Sequence, residues 1–163
     1  MTWQLRRATI GDLDAIMGLE TGIFGSDAWS AASMRSELRS KNTFYLVAER
    51  LDSPGQVDGY AGLLAPVGAK EGDIQTIAVA ENARRGGLGR TLVQTLVDEA
   101  RKRGATAVFL EVRADNPGAQ SLYRKLGFVE IAVRPRYYQP DGVDAIVMTL
   151  AIVEPKLSPA VGR

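Results

Sequence analysis

Apolar residues along the chain follow two alternating periods. Thr43-Phe44-Tyr45-Leu46-Val47-Ala48-Glu49, Tyr60–Pro66, Asp73–Val79 and Thr106–Val112 are short runs rich in apolar, β-branched and aromatic residues, the signature of strands. Leu5–Ala8, Phe128–Val133 and Ala145–Leu150 are shorter runs of the same kind. Between them the period lengthens. Leu88, Leu92, Val93, Leu96, Val97 and Ala100 recur at helical spacing, which predicts an amphipathic helix running to about Arg103, with Gly104 as its stop. Leu13, Ile16, Met17 and Leu19 predict a first helix, opened by Thr9 with Asp12 as a capping-box partner and broken at Gly22 and Gly25. Ser30 is placed to cap a second helix through Met34 and Leu38, and Asn116–Leu126 a last short one ended by Gly127. Asp52-Ser53-Pro54-Gly55 is a turn cluster, and a polar loop is expected around Asp141-Gly142.

The predicted order is β-α-α-β-β-β-α-β-α-β-β. Hairpins alternate with helical crossovers, so the fold class is α/β with a mixed sheet. The expected organisation is one domain over residues 1–153 and a flexible tail over residues 154–163, which carries two prolines and little periodicity.

Composition narrows the chemistry. The 163 residues contain no Cys and no His. That removes disulfides, thiolate and imidazole metal sites, Cys nucleophiles and Ser-His-Asp triads, so no metal is expected. A general base must be Asp, Glu, Lys, Tyr or a water they hold. Twenty basic residues against nineteen acidic ones give no net-charge reason to expect nucleic acid or membrane as a partner. No apolar run approaches the ~18 residues of a membrane span, and the N-terminus lacks signal-peptide order, so a cytoplasmic location is expected.

Arg84-Arg85-Gly86-Gly87-Leu88-Gly89-Arg90 stands between a predicted strand and a predicted helix start. Small residues allow close backbone approach, and the free N–H groups and dipole of a helix N-terminus favour an anion. A Walker loop would need glycine at position 84 and lysine at position 90, where arginines stand. A dinucleotide fingerprint starting at Gly87 would place its third glycine on Leu92. A plain glycine-rich turn before a helix remains the alternative for the loop taken alone.

A second stretch extends the picture. Arg84-Arg85-Gly86-Gly87-Leu88-Gly89 resembles the Q/R-x-x-G-x-G/A signature of the GNAT N-acetyltransferase superfamily, and it follows a strand, Gln75–Val79, as in that family. Asn116–Phe128 resembles the family's N-x-x-A-x-x-x-Y-x-x-x-G-F motif. Ala28-Trp29-Ser30, Leu110–Asn116 and Arg134-Pro135-Arg136-Tyr137-Tyr138, followed by Asp144-Ala145-Ile146-Val147-Met148, are most similar to the ribosomal-protein alanine N-acetyltransferases within it.

The resemblance implies a splayed mixed sheet of about seven strands with about four helices, and acetyl-CoA as co-substrate. It places the coenzyme against Ile77, Ala78 and Val79, against the loop residues Arg84, Arg85, Gly86, Gly87, Leu88, Gly89 and Arg90, and against Asn116 and Tyr123. It implies Glu111 as base, acting through partial burial or through a water, and Tyr123 as the acid that protonates the departing thiolate. Trp29, Tyr137 and Tyr138 are implied to line an acceptor channel. The implied acceptor is a protein N-terminal amine, that of an alanine-starting small-subunit ribosomal protein. A lysine side chain, a small amine, or a non-catalytic acyl-CoA-binding role are the alternatives. Glu20 and Asp144 are further carboxylates to which the sequence assigns no role.

Overall fold

The computed structural model describes residues 2–152; the tail expected at 154–163 lies outside them. The described elements are β1 (Trp3–Arg7), α1 (Leu13–Phe24), α2 (Ala31–Arg39), β2 (Thr43–Arg50), β3 (Val57–Leu64), β4 (Glu71–Val79), α3 (Leu88–Lys102), β5 (Ala107–Arg113), α4 (Pro117–Lys125), β6 (Val129–Tyr138) and β7 (Val143–Ala151). The strands form one sheet in the order β1-β2-β3-β4-β5-β7-β6, in which β4 and β5 are parallel and every other neighbouring pair is antiparallel. The expected α/β class, the order of elements and the mixed sheet are all found.

Helices cover both faces of the sheet, and side-chain alternation along the strands sorts the core accordingly. Leu46, Ala48, Ala61 and Leu63 pack with Leu88, Leu92, Val93 and Leu96 of α3 and with Tyr123 and Phe128. Tyr45, Val47 and Tyr60, their immediate neighbours in sequence, face the other way and pack with Leu13, Ile16 and Met34 of α1 and α2. The stripe on α3 is the one its sequence spacing predicts. Each fully buried Leu there contributes about 1.5–3 kcal/mol of apolar transfer free energy.

Among the boundaries that differ from the sequence reading, two have a distinct physical cause. Gly22 does not interrupt α1, which runs on to Phe24 and ends where Gly25 takes a positive φ of 54°. Gly22 has open space around it, so the helix loses propensity there but no packing. The second difference is at β6, which continues through Arg134–Tyr138 instead of stopping at Val133. Its register to β7 breaks between Arg134 and Tyr138, with Arg136 at a φ of 52°. Pro135, which has no N–H to offer a ladder, falls inside that irregularity. Asp144 Oδ1 accepts the Arg136 N–H at 2.9 Å, which gives the irregular strand a partner and Asp144 a structural role.

A third irregularity positions the site. Leu63 pairs with Ile74 while its neighbour Gly62 pairs with Thr76, so Gln75 is an extra residue on β4. A bulge of this kind bends its strand. The Tyr45 ring crosses Gly62, where an added Cβ would collide with it, and the Tyr45 hydroxyl donates to Gln75 Oε1 at 2.8 Å. Replacing Gly62 by Ala is therefore expected to destabilise the protein by about 1–3 kcal/mol through overpacking. A denaturation midpoint equal to that of the wild type would contradict this account of the bend.

Candidate active site

β4 and β5 are paired only at Glu71–Ala107, Gly72–Val108 and Asp73–Phe109. Beyond the Gln75 bulge β4 stays with β3 as far as Val79, while β5 stays with β7 as far as Arg113. The two parallel strands consequently part. Backbone directions within β4 follow from one bond: the Ala80 N–H reaches Asp58 O on the β3 side at 2.7 Å. By alternation Ala78 also faces β3, and the backbone groups of Ile77 and Val79 face the gap. The Val79 carbonyl accepts from Arg84 Nε at 3.1 Å, so Arg84 braces the strand end rather than reaching outward. Of the three consecutive residues expected to meet a coenzyme, Ile77 and Val79 offer main-chain groups to the gap and Ala78 does not.

The glycine-rich loop opens α3. Ser30 caps α2 and Asn116 caps α4 through their side chains, but α3 begins at Gly87, which has no side chain to cap with. The first N–H groups of α3 are left for an external acceptor. Gly87 takes a φ of 81° and Arg85 one of 69°, left-handed turn conformations of the kind that form anion-binding concavities of backbone N–H groups. The other glycines do different work. An added Cβ on Gly89 would stand 3.3 Å from Leu122 of α4, and on Gly86 it would stand 3.1 Å from the Trp3 ring, whereas nothing lies within 4 Å of Gly87. Gly86 and Gly89 thus allow the loop to pack, and Gly87 keeps its outer side clear. Arg85 and Arg90 are exposed beside it. An uncapped helix start flanked by two cations fits a pyrophosphate.

Gly87→Glu is expected to raise the KM for acetyl-CoA by about tenfold or more, by adding negative charge and a side chain at a left-handed position. An unchanged KM would remove the loop from coenzyme binding.

Two cavities meet at the split. One, of about 190 Å³, is lined by Ile74–Ile77, by Leu110–Arg113 and by Asn116, Ala119 and Tyr123. The other, of about 530 Å³, is lined by Glu71, Asp73, Phe109, Arg134 and Tyr137. Trp29, Glu111 and Tyr138 line both. Glu111 is brought there by strand alternation: Val108, Leu110 and Val112 are buried on one face of β5, and Glu111 points to the other. The Glu111 side chain is 30% exposed, with Arg134 Nη2 3.9 Å from its Oε1.

Tyr123 is buried, its ring edge-on to Phe128 at 5.9 Å. Burial, with a smaller effect from Tyr138, pushes its hydroxyl well above the usual tyrosine range, so it keeps its proton at neutral pH. Tyr138 is pushed up to about 12, first by burial and then by the facing Glu111. Tyr137 moves the same way, again by burial first and Glu111 next. The Asn116 side-chain oxygen accepts the Ala119 N–H at 3.1 Å, which leaves its amide N–H groups for the cavity.

Glu20 is a cavity-lining residue whose place the sequence did not give. It is 1% exposed and lines the smaller cavity. It accepts hydrogen bonds from the Trp29 N–H at 2.9 Å, from the Tyr60 hydroxyl and from Thr76 Oγ1 at 3.4 Å. Burial raises its pKa. The available signal was its spacing, because Leu13, Ile16 and Glu20 share one helical face and a carboxylate on an apolar face needs partners.

A parallel pair of strands that opens beside an uncapped helix start flanked by arginines is the arrangement that the resemblance implies for a transferase taking an acyl group from a nucleotide-bearing coenzyme. Comparison with known proteins agrees. The sequence profile described as the acetyltransferase (GNAT) family matches residues 13–128. The chain is 37% identical over 156 residues to the N-alpha-acetyltransferase RimI of Mycobacterium tuberculosis, covering 91% of this chain and 95% of that protein. It is 40% identical over 143 residues to an uncharacterised protein of Mycobacterium leprae, of whose length the match spans 38%. The crystal structure of the ribosomal-protein-S18-alanine N-acetyltransferase from Escherichia coli superposes with a TM-score of 0.80 at 31% identity, covering 96% of this chain and 99% of that one. The chain belongs to the GNAT family and is an acetyl-CoA-dependent N-acetyltransferase. Among the described residues no helix is long and apolar enough to cross a membrane.

Proposed function

We propose that this chain is an Nα-acetyltransferase that acetylates the N-terminal amine of a protein, a small-subunit ribosomal protein beginning with alanine, in the cytoplasm. The observation that carries the reading is the position of Glu111 where the two cavities meet, in a chain that matches the Mycobacterium tuberculosis RimI over nearly its whole length.

Acetyl-CoA supplies the activated acetyl thioester. The N–H groups at Gly87–Arg90 hold its pyrophosphate, Ile77 and Val79 bond its pantetheine arm, and Asn116 adds a side-chain contact. The Val79 N–H, directed into the gap, is placed to stabilise the oxyanion that forms as the amine adds. The acceptor comes through the larger cavity. Glu71, Asp73 and Glu111 outnumber Arg134 among its charged lining residues, which favours a cationic amine.

That amine has a reference pKa near ~8 and arrives mostly protonated. Glu111 receives its proton, directly or through a water. Tyr123 donates a hydrogen bond to the sulfur as negative charge develops there and passes its proton on as the thiolate leaves. Trp29, Tyr137 and Tyr138 wall the path.

The test uses acetyl-CoA with peptides that differ only in their first residue, beside N-terminally blocked lysine peptides and polyamines. Preferred acetylation of the alanine-starting peptide supports the reading. Modification confined to internal lysines or polyamines would replace it with the side-chain or small-amine alternative.

A further inference from the structure

Arg113 ends β5, two residues beyond Glu111, and meets carboxylates from three connections. It bonds Asp27 in the α1–α2 connection, Asp141 in the β6–β7 turn at 2.6 Å, and Asp115 just after β5 at 2.9 and 3.2 Å. Its guanidinium also lies 5.0 Å over the ring of Tyr138. The Arg113 and Asp27 side chains are 22% and 15% exposed. Isolated surface ion pairs contribute little, but a partly buried guanidinium shared among several carboxylates is directional, because its planar fork fixes where each partner stands.

The two distant partners give the cluster its meaning. Asp27 stands two residues before Trp29, and Asp141 three residues after Tyr138. Trp29 and Tyr138 are the aromatics that line both cavities. One side chain on the strand that carries Glu111 is therefore bonded to both segments that carry the aromatic walls.

We propose that Arg113 is a positioning residue that clasps the α1–α2 connection and the β6–β7 turn across the end of β5, and so sets the width of the acceptor path to Glu111. The inference rests on the acceptor path of the proposed function. Lysine could not replace it fully, since a single ammonium lacks the fork needed to address Asp27 and Asp141 at once.

The test compares Arg113→Met, Arg113→Lys and, as a control for loss of a surface arginine, Arg101→Met. Amide hydrogen exchange on the full chain reads the clasp directly. The amides of Ala28 and Gly142 are hydrogen-bonded within the two clasped segments, and that of Trp29 donates from the first of them to the Glu20 carboxylate of α1. In Arg113→Met their exchange is expected to quicken by about tenfold, the size of a lost coupling between neighbouring groups, while β1–β3 exchange as in the wild type. The KM for the peptide acceptor is expected to rise by about tenfold, with the KM for acetyl-CoA within about twofold of the wild type. Arg113→Lys should fall between, and adding Asp27→Asn to Arg113→Met should change nothing further.

Unchanged exchange in either segment overturns the clasp. So does a rise in both KM values together, which marks general loosening of the site. Should Arg113→Met not fold, Arg113→Lys and Asp141→Asn are read by the same criteria. A wild type that acetylates no peptide sinks the acceptor assignment of the proposed function, and hydrogen exchange still decides whether Arg113 clasps the walls.

Discussion

Glu111→Gln is expected to lower kcat by about 10²- to 10³-fold at neutral pH, the range for loss of a positioned general base, with the KM for acetyl-CoA almost unaltered. The substitution keeps the shape of the side chain at the junction of the two cavities and removes its ability to take a proton. Its pH dependence gives the sharper signature. An α-amine with a reference pKa near ~8 is increasingly free above that pH and needs no base to deprotonate it before attack. The gap between wild type and variant should therefore narrow as pH rises from 7 towards 9. A constant ratio across that range, or a wild-type rate at pH 7, would take the base role from Glu111. Carboxylates elsewhere in the lining, Asp73 or the buried Glu20, would then be the groups to replace next.

Tyr123→Phe is expected to lower kcat by about 10²-fold or more with both KM values preserved, because in the proposed function the hydroxyl acts on the leaving sulfur and not on ground-state binding. The ring of the variant still fills its place against Phe128, so folding should be nearly unaffected. The raised pKa of Tyr123 sharpens the expectation. A hydroxyl that holds its proton through the neutral and mildly alkaline range cannot produce a falling limb in the pH–rate profile there. Any fall in the wild-type rate below pH 9 must come from another group. If Tyr123→Phe turns over at the wild-type rate, the sulfur is protonated by water and Tyr123 serves only to pack.

Much of the scaffold could be read along the chain because its elements are locally consistent. The stripe of Leu88, Leu92, Val93 and Leu96 and the alternation of Tyr45, Leu46, Val47 and Ala48 assign each side chain to one face, and the structure puts them there. Gly87 was legible as an open helix start because position and residue type together specify an uncapped N-terminus. What escaped depends on partners distant in sequence. By sequence the strand ends at Val133, where proline and two arginines interrupt its pattern, and it is pairing with β7 at Arg134 and Tyr138 and the Asp144 contact to Arg136 that hold the segment in β6. Gln75 looked like an ordinary strand residue, and its bulge arises from Tyr45 crossing Gly62 thirteen residues before it. Glu20 and Arg113 are hubs whose bonds span 40 and 86 residues of chain, to Tyr60 and to Asp27 respectively. A linear reading sees one carboxylate and one guanidinium and has no means of counting their partners.

In the proposed function the coenzyme enters by the split between β4 and β5, and the acceptor amine meets it from the larger cavity at Glu111. The most direct measurement is a crystal structure of the protein bound to a bisubstrate conjugate, coenzyme A joined through an acetyl bridge to the N-terminus of an alanine-starting peptide. The expected density places the pyrophosphate on the N–H groups of Gly87–Arg90, the bridge between Val79 and Glu111, and the peptide leaving between Trp29 and Tyr138. A pyrophosphate away from the start of α3, or a peptide leaving by another face, would contradict the account.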